Sequence, residues 1–194
     1  MGMNITQALQ DHLFRIDTAD WLEIGTDQGS GQTALLSDLC ATRLYSVDID
    51  PLRIDRNRAY YSNRSNIEFV CQDGLQFIQQ HQGQFSLVFL DNFDWDNCHR
   101  DAFEHKRSHV QQQIVRYTQL NMSMNNLQSQ AVHLAQCMAI QPLLTDQSII
   151  IIDDTYVKVE DGIYSGKGGA CVPYLMNLGY SYQEYTDGLV FWRR

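Results

Sequence analysis

Apolar residues along this chain fall in short unbroken runs that end in acidic or turn residues. "DWLEIG" (20–25), "RLYSVDID" (43–50), "NIEFVCQDG" (66–74), "FSLVFLDN" (85–92) and "SIIIIDD" (148–154) all have this form. Continuously apolar interiors predict parallel strands covered on both faces. Between the runs lie amphipathic stretches at 31–39, 52–61, 75–81, a pair within 99–141, and 169–178. Leu127, Ala131, Leu134 and Met138 recur at helical spacing, and Pro142 follows near the helix end. This alternation predicts a doubly wound α/β sheet. The ending differs: "YSYQEY" and "LVFWR" are separated by Thr-Asp-Gly, and Asp187-Gly188 is a hairpin signal that makes the last two strands antiparallel.

Composition narrows the class. The 194 residues suit one domain with a substantial core, and 44% hydrophobic content argues against disorder. A net charge of −9 repels phosphate backbones and anionic lipid, and the densest basic run, "HKR" at 105–107, is short and lies beside Glu104. Neither nucleic acid nor a membrane is the expected partner. Five scattered cysteines without a CxxC pair suit reduced thiols in a cytoplasm. The N-terminus lacks a signal-peptide pattern, and the longest apolar run is strand-sized, so a cytoplasmic protein is expected.

Ligands of open α/β sheets sit beyond the carboxyl ends of the strands. Here each strand delivers an acid to that edge: Glu23 or Asp27, Asp48, Asp73, Asp91, and the pair Asp153-Asp154. Burying charge there is costly unless it is matched. The first loop, "WLEIGTDQGSG" (21–31), spaces its glycines as GxxxGxG. That is not the GxGxxG of a nicotinamide dehydrogenase, and glycines needed only for helix–strand packing also explain it. Asp48 follows by about twenty residues, where a carboxylate can accept both ribose hydroxyls. Asp50-Pro51 already reads as a helix cap, which leaves Asp48 free for a ligand.

These segments together resemble class I S-adenosylmethionine-dependent methyltransferases over residues 20–192. "LEIGTDQGSG" is similar to their cofactor loop, "SVDIDP" to the ribose-binding strand end, and "VCQDG" to the adenine-side strand end. The resemblance implies a Rossmann-like seven-stranded sheet of order 3-2-1-4-5-7-6, with the last strand antiparallel and helices on both faces. It also implies that Gly25, Thr26, Asp27, Gly29 and Ser30 line the methionine and ribose side of the cofactor. Asp48 would hold the ribose and Asp73 would approach the adenine amine, with Glu23, Ile49, Gly74 and Asp91 in the same cofactor-binding set.

Asp91, Asp153 and Asp154 further resemble the metal ligands of catechol and caffeoyl-CoA O-methyltransferases, and of sugar O-methyltransferases. Asp154 replaces their asparagine. Three converging carboxylates repel one another without a cation, and oxygen-only ligands suit Mg²⁺ or another divalent ion. A capping role for Asp153, with Asp91 touching only cofactor, is the plainer alternative. Those enzymes carry a basic lysine three residues beyond the first metal aspartate, where this chain has Asp94. Asp91, Asp94 or His99 would then serve the chemistry. His105 and His109 stand at metal-binding helical spacing, or simply lie on a solvated face. Phe93, Trp95 and Phe103 either wall a pocket or pack a lid. "YSGKGGACVPYL" (164–175) reads as a mobile glycine loop in which Lys167 grips an anionic substrate group, or as a plain helix start.

The expected activity is thus metal-assisted O-methylation of a small hydroxylated metabolite by one domain with a helical insert at 95–125. A metal-independent N- or C-methyltransferase and a non-catalytic cofactor-binding module are the alternatives. Only about twenty residues precede the first strand, so the insert, or a second subunit in a homodimer, has to complete the acceptor pocket.

Overall fold

The computed structural model describes residues 5–26, 29, 31–93, 104–123, 125–158, 163–186 and 188–193, without the side chains of 104–110 and 158. Nine strands are formed among the described residues: β1 (Asp20–Ile24), β2 (Leu44–Asp48), β3 (Ile67–Cys71), β4 (Phe85–Leu90), β5 (Leu144–Asp153), β6 (Thr155–Lys158), β7 (Ile163–Gly166), β8 (Tyr180–Tyr185) and β9 (Gly188–Arg193). Seven of them make one sheet of order β3-β2-β1-β4-β5-β9-β8. β1, β2, β3, β4 and β5 run parallel, while β9 pairs antiparallel with both β5 and β8. This is the expected order, with the Asp187-Gly188 hairpin as its last two strands.

The continuous apolar runs are sorted by the two-residue period of a strand. Leu22, Ile24, Val88, Leu90, Ile150 and Ile152 pack on one face of the sheet. They meet Phe77 and Ile78 of α4 (Gly74–Gln80), Cys137 and Ile140 of α6 (Asn126–Ile140), and Val172 and Leu175 of α7 (Cys171–Asn177). Trp21, Leu87, Phe89, Ile149 and Ile151 pack on the other face, under Ile5, Ala8 and Leu9 of α1 (Ile5–His12) and Leu36 of α2 (Gln32–Leu39). α3 (Pro51–Tyr60) adds Ile54 to a smaller cluster with Tyr61 and Phe69. No helix is long and apolar enough to cross a membrane among the described residues.

Three features depart from the sequence reading. α1 forms ahead of the first strand and closes one face. The β6–β7 hairpin pairs Thr155 with Gly166 and Lys158 with Ile163; its signal, Asp161-Gly162 between two β-rich stretches, is the same dipeptide that marked the terminal hairpin. The third concerns α6. Its apolar stripe faces outward at both ends, with Leu127 80% and Met138 54% exposed, and only Leu134 of it packs on the core, while Ser129, His133, Gln136, Cys137 and Ile140 are buried. Periodicity assigned the face by hydrophobicity, but the first half of this helix covers a polar strand edge. There Ser129 Oγ donates to the Phe93 carbonyl and Gln130 Nε2 to the Gly166 carbonyl.

Candidate active site at the carboxyl edge

The first loop leaves β1 between the ends of two neighbouring strands. The Gly25 amide donates to Val47 O at 2.8 Å, and the Asp91 amide donates to Ile24 O at 2.9 Å. Gly25 has φ +98°, and a Cβ there would lie 2.5 Å from the Asp91 carbonyl oxygen. The glycine therefore lets β1 end against β4. Thr26 continues the turn: its amide donates to Asp48 Oδ2 at 3.3 Å, and its hydroxyl accepts from Asn57 Nδ2 at 3.0 Å. Tyr61 donates its hydroxyl to the Gly29 carbonyl. Asp27 and Ser30, also expected here, lie outside the described residues.

Glu23 turns away from the edge. It is buried, accepting from Thr33 Oγ1 at 2.8 Å and from Ser46 Oγ at 2.5 Å. Burial raises its pKa to about 7, against the lowering effect of Ser46 and Thr33. Its place is behind the loop, joining β1, β2 and α2. The raised value has a sign to test. Stability contributed by protonated Glu23 is complete below the ordinary carboxyl value of 4.5 and is lost as pH rises to about 7, a change of about 3 kcal/mol. His133 acts oppositely: burial lowers its pKa from 6.5 to about 4, so its neutral form stabilises above pH 6.5 and loses effect toward 4. Wild type minus Glu23→Gln isolates the first effect. Chemical denaturation across this range should show the difference shrinking with rising pH; a difference independent of pH contradicts the assignment.

Asp48 ends β2 at the ribose position. Its Oδ1 accepts from the Asp50 amide at 2.8 Å and from Arg116 Nη2 at 3.3 Å, and Arg53 approaches Oδ2 at 3.9 Å. Burial raises its pKa, against the Asp50 amide, Arg116 and Arg53. Asp50 caps α3 through the Leu52 amide, as read from the sequence, and also takes Arg116 Nε at 3.0 Å. Arg116 belongs to α5 (Glu104–Gln119), whose next residue, Tyr117, packs edge-on to Phe93 with ring centroids 5.2 Å apart. Its contacts thus run from the end of β2 to the segment after β4, and β1 lies between those two strands. Ile49 is exposed beside Asp48, and Asp73 caps α4 by accepting from the Gln76 amide at 2.9 Å, with Gly74 buried next to it.

At the β4–β5 end, carboxylate oxygens of Asp91, Asp153 and Asp154 lie within 4.8 Å of one another. The convergence read from the sequence is present, but the cation among them belongs to the protein. Lys167 is 2% exposed, and its Nζ lies 2.5 Å from Asp91 Oδ1 and 3.2 Å from Asp154 Oδ2. An oxygen-only trio suits a divalent ion, yet an ammonium already stands on two of its three members. The residues as they stand do not fit a metal. Burial raises the Asp91 and Asp153 carboxyls, and Lys167 opposes it. Asp154 is held low, the pull of Lys167 and the Tyr156 hydroxyl outweighing burial.

The β6–β7 hairpin brings Lys167 there. The Lys167 amide donates to the Asp154 carbonyl at 2.9 Å, and the Gly168 amide to Thr155 Oγ1 at 3.0 Å. Gly166 has φ +85°, and a Cβ on it would lie 1.8 Å from the Asp154 carbonyl oxygen. Residues 166–169 are all buried. The expected mobile loop with a substrate-gripping lysine is instead a packed turn that points the lysine inward. Asp94, His99, Trp95 and Phe103 lie outside the described residues, as do the side chains of His105 and His109.

The sheet and its acidic edge define a Rossmann-like methyltransferase fold. Among solved structures it is similar to the N-methyltransferase NodS of Bradyrhizobium japonicum, with a TM-score of 0.57 at 16% identity over 96% of this chain and 90% of that one. It is also similar to human methyltransferase-like protein 13 in complex with SAH, with a TM-score of 0.59 at 13% identity over 96% and 80%. An rRNA methylase of Streptococcus thermophilus gives a TM-score of 0.56 at 12% identity over 96% and 93%. No family model matches the chain. In sequence, 92 residues are 29% identical to an uncharacterized RNA methyltransferase of Thermotoga maritima, covering 45% of this chain and 21% of that protein. A stretch of 86 residues is 28% identical to polyamine aminopropyltransferase of Buchnera aphidicola, covering 39% of this chain and 30% of that protein. The chain thus spans less than a third of the length of either curated relative.

Proposed function

We propose that this chain is an S-adenosylmethionine-dependent methyltransferase acting on a small acceptor. The observation that carries the reading is the buried Asp48 carboxylate, bonded to the Thr26 amide of a loop whose Gly25 passes against Asp91, on a sheet of methyltransferase fold. S-adenosylmethionine supplies an electrophilic methyl group on a sulfonium. Asp48 holds the ribose hydroxyls, Ile49 offers an apolar surface to the purine, and Asp73 lies at the adenine end. Asp91 follows β4, with its backbone carbonyl against Gly25 of the loop. Its proton affinity, raised by burial, suits it to take the proton from an acceptor hydroxyl as the methyl group is transferred.

A small hydroxylated acceptor fits better than RNA, because a chain of net charge −9 repels a phosphate backbone. An amine acceptor is the second reading, favoured by the three carboxylates gathered around the Lys167 ammonium at the β4–β5 edge. Titration calorimetry with S-adenosylmethionine, S-adenosylhomocysteine and NAD tests the first step. Equimolar binding of both sulfur nucleotides and none of NAD is expected; failure of both to bind sinks the proposal. Binding without methyl transfer to any hydroxyl or amine acceptor would leave a cofactor-binding module instead.

A further inference from the structure

We propose that the Lys167 ammonium takes the place of a divalent cation at the β4–β5 edge, so that Asp91, Asp153 and Asp154 form a metal-free site. The inference rests on the geometry of this cluster and not on the cofactor, so its failure and the failure of the methyltransferase reading are separable.

Three observations carry it. The first is position: Nζ stands at hydrogen-bond distance from carboxylates of two different strand ends, Asp91 after β4 and Asp154 after β5. A divalent ion bridging the same acids would need that space, and an ammonium on its ligands would repel it. The second is burial. A lysine 2% exposed is rare unless paired, and here its charge is matched by the acids it touches. The third is the backbone that delivers it. The amides of Lys167 and Gly168 are fixed on Asp154 O and Thr155 Oγ1, and Gly166 permits an approach that no side chain would allow. The ammonium is held from both ends, by its own carboxylates and by a turn closed through the β6–β7 hairpin.

The chemistry differs from that of a metal in a defined way. An ammonium carries one positive charge and three directed donors, and it has no vacant coordination position for an acceptor oxygen. It neutralises part of the acidic trio and fixes the Asp91 carboxylate, but it does not activate a hydroxyl by direct ligation. Lys167 is therefore a positioning residue acting through Asp91, and deprotonation of the acceptor is left to the carboxylates.

The test is Mn²⁺ binding, followed by electron paramagnetic resonance and by melting temperature. Wild type is expected to take up no stoichiometric Mn²⁺, and its melting temperature should not move in millimolar Mn²⁺. Lys167→Ala opens the acidic trio and should gain a single Mn²⁺ per chain, with a melting temperature several degrees higher when the ion is added. Asp153→Asn in the Lys167→Ala background should remove that gain. A stoichiometric Mn²⁺ in wild type that Asp153→Asn abolishes would overturn the proposal, as would a folded Lys167→Ala protein that takes up no Mn²⁺. If Lys167→Ala does not fold, the pair Lys167→Met and Lys167→Met/Asp91→Asn decides. Removing one acid together with its cation should restore stability lost in the single variant. Absence of that rescue means that pairing with Asp91 is not what the lysine charge supplies, and the proposal falls.

Discussion

Gly25→Ala is expected to abolish measurable S-adenosylhomocysteine binding and to lower stability by about 2–4 kcal/mol. Two costs combine. An L-residue at φ +98° is strained, and the new methyl group would stand 2.5 Å from the Asp91 carbonyl oxygen and 2.6 Å from its carbon. Both atoms are backbone at the end of a central strand, so relief requires moving β1 and β4 apart. That movement would shift the loop carrying Thr26 and the carboxylate of Asp91 together. Gly31→Ala is the matched control: it also has positive φ, but a Cβ there meets nothing within 4 Å. It should cost only the backbone strain, about 1–2 kcal/mol, and keep nucleoside binding. Calorimetry and thermal melting of the two variants check the contrast, and equal behaviour would refute the close-approach argument.

Asp48→Ala should weaken S-adenosylhomocysteine binding on the order of 100-fold while leaving the chain folded. A ribose diol on a buried carboxylate makes hydrogen bonds to a charged group, each worth about 1.5–3 kcal/mol, and about 1.4 kcal/mol is tenfold in affinity. The fold survives in this account because Arg116 keeps Asp50, at 3.0 Å, as a second partner. The variant does lose the Thr26 and Asp50 amide contacts, so a modest fall in melting temperature accompanies the binding defect. Unchanged affinity in a folded Asp48→Ala protein would place the ribose elsewhere.

The sheet was legible in the sequence because parallel strands buried on both faces leave unbroken apolar runs, and the terminal Asp-Gly turn fixed the antiparallel end. Strand-end acids were legible for a related reason: a charge closing an apolar run is conspicuous. What each acid does was not. Glu23 and Asp48 both close such runs, yet one is tied to Ser46 and Thr33 behind the loop while the other faces Arg116. That choice depends on which side of the strand each residue occupies at the edge. Lys167 reads from the sequence as a grip for a substrate anion, and its pairing with the strand-end acids was not legible because its partners are 76 residues away at Asp91 and across a hairpin at Asp154. Glycines at 166, 168 and 169 suggested mobility, whereas close packing required them. α6 misled in the opposite sense, the Leu127 and Met138 ends of its conspicuous stripe being exposed and its quieter Ser129, His133 and Gln136 buried.

A crystal structure with S-adenosylhomocysteine bound would test the central claim most directly. The account predicts the nucleoside under α5, its ribose hydroxyls on Asp48 and its adenine toward Asp73. The thioether sulfur should lie on the Asp91 side, with Lys167 still on Asp91 and Asp154. A nucleoside bound away from the Gly25–Asp48 edge, or a metal ion in the place of the Lys167 ammonium, would contradict it.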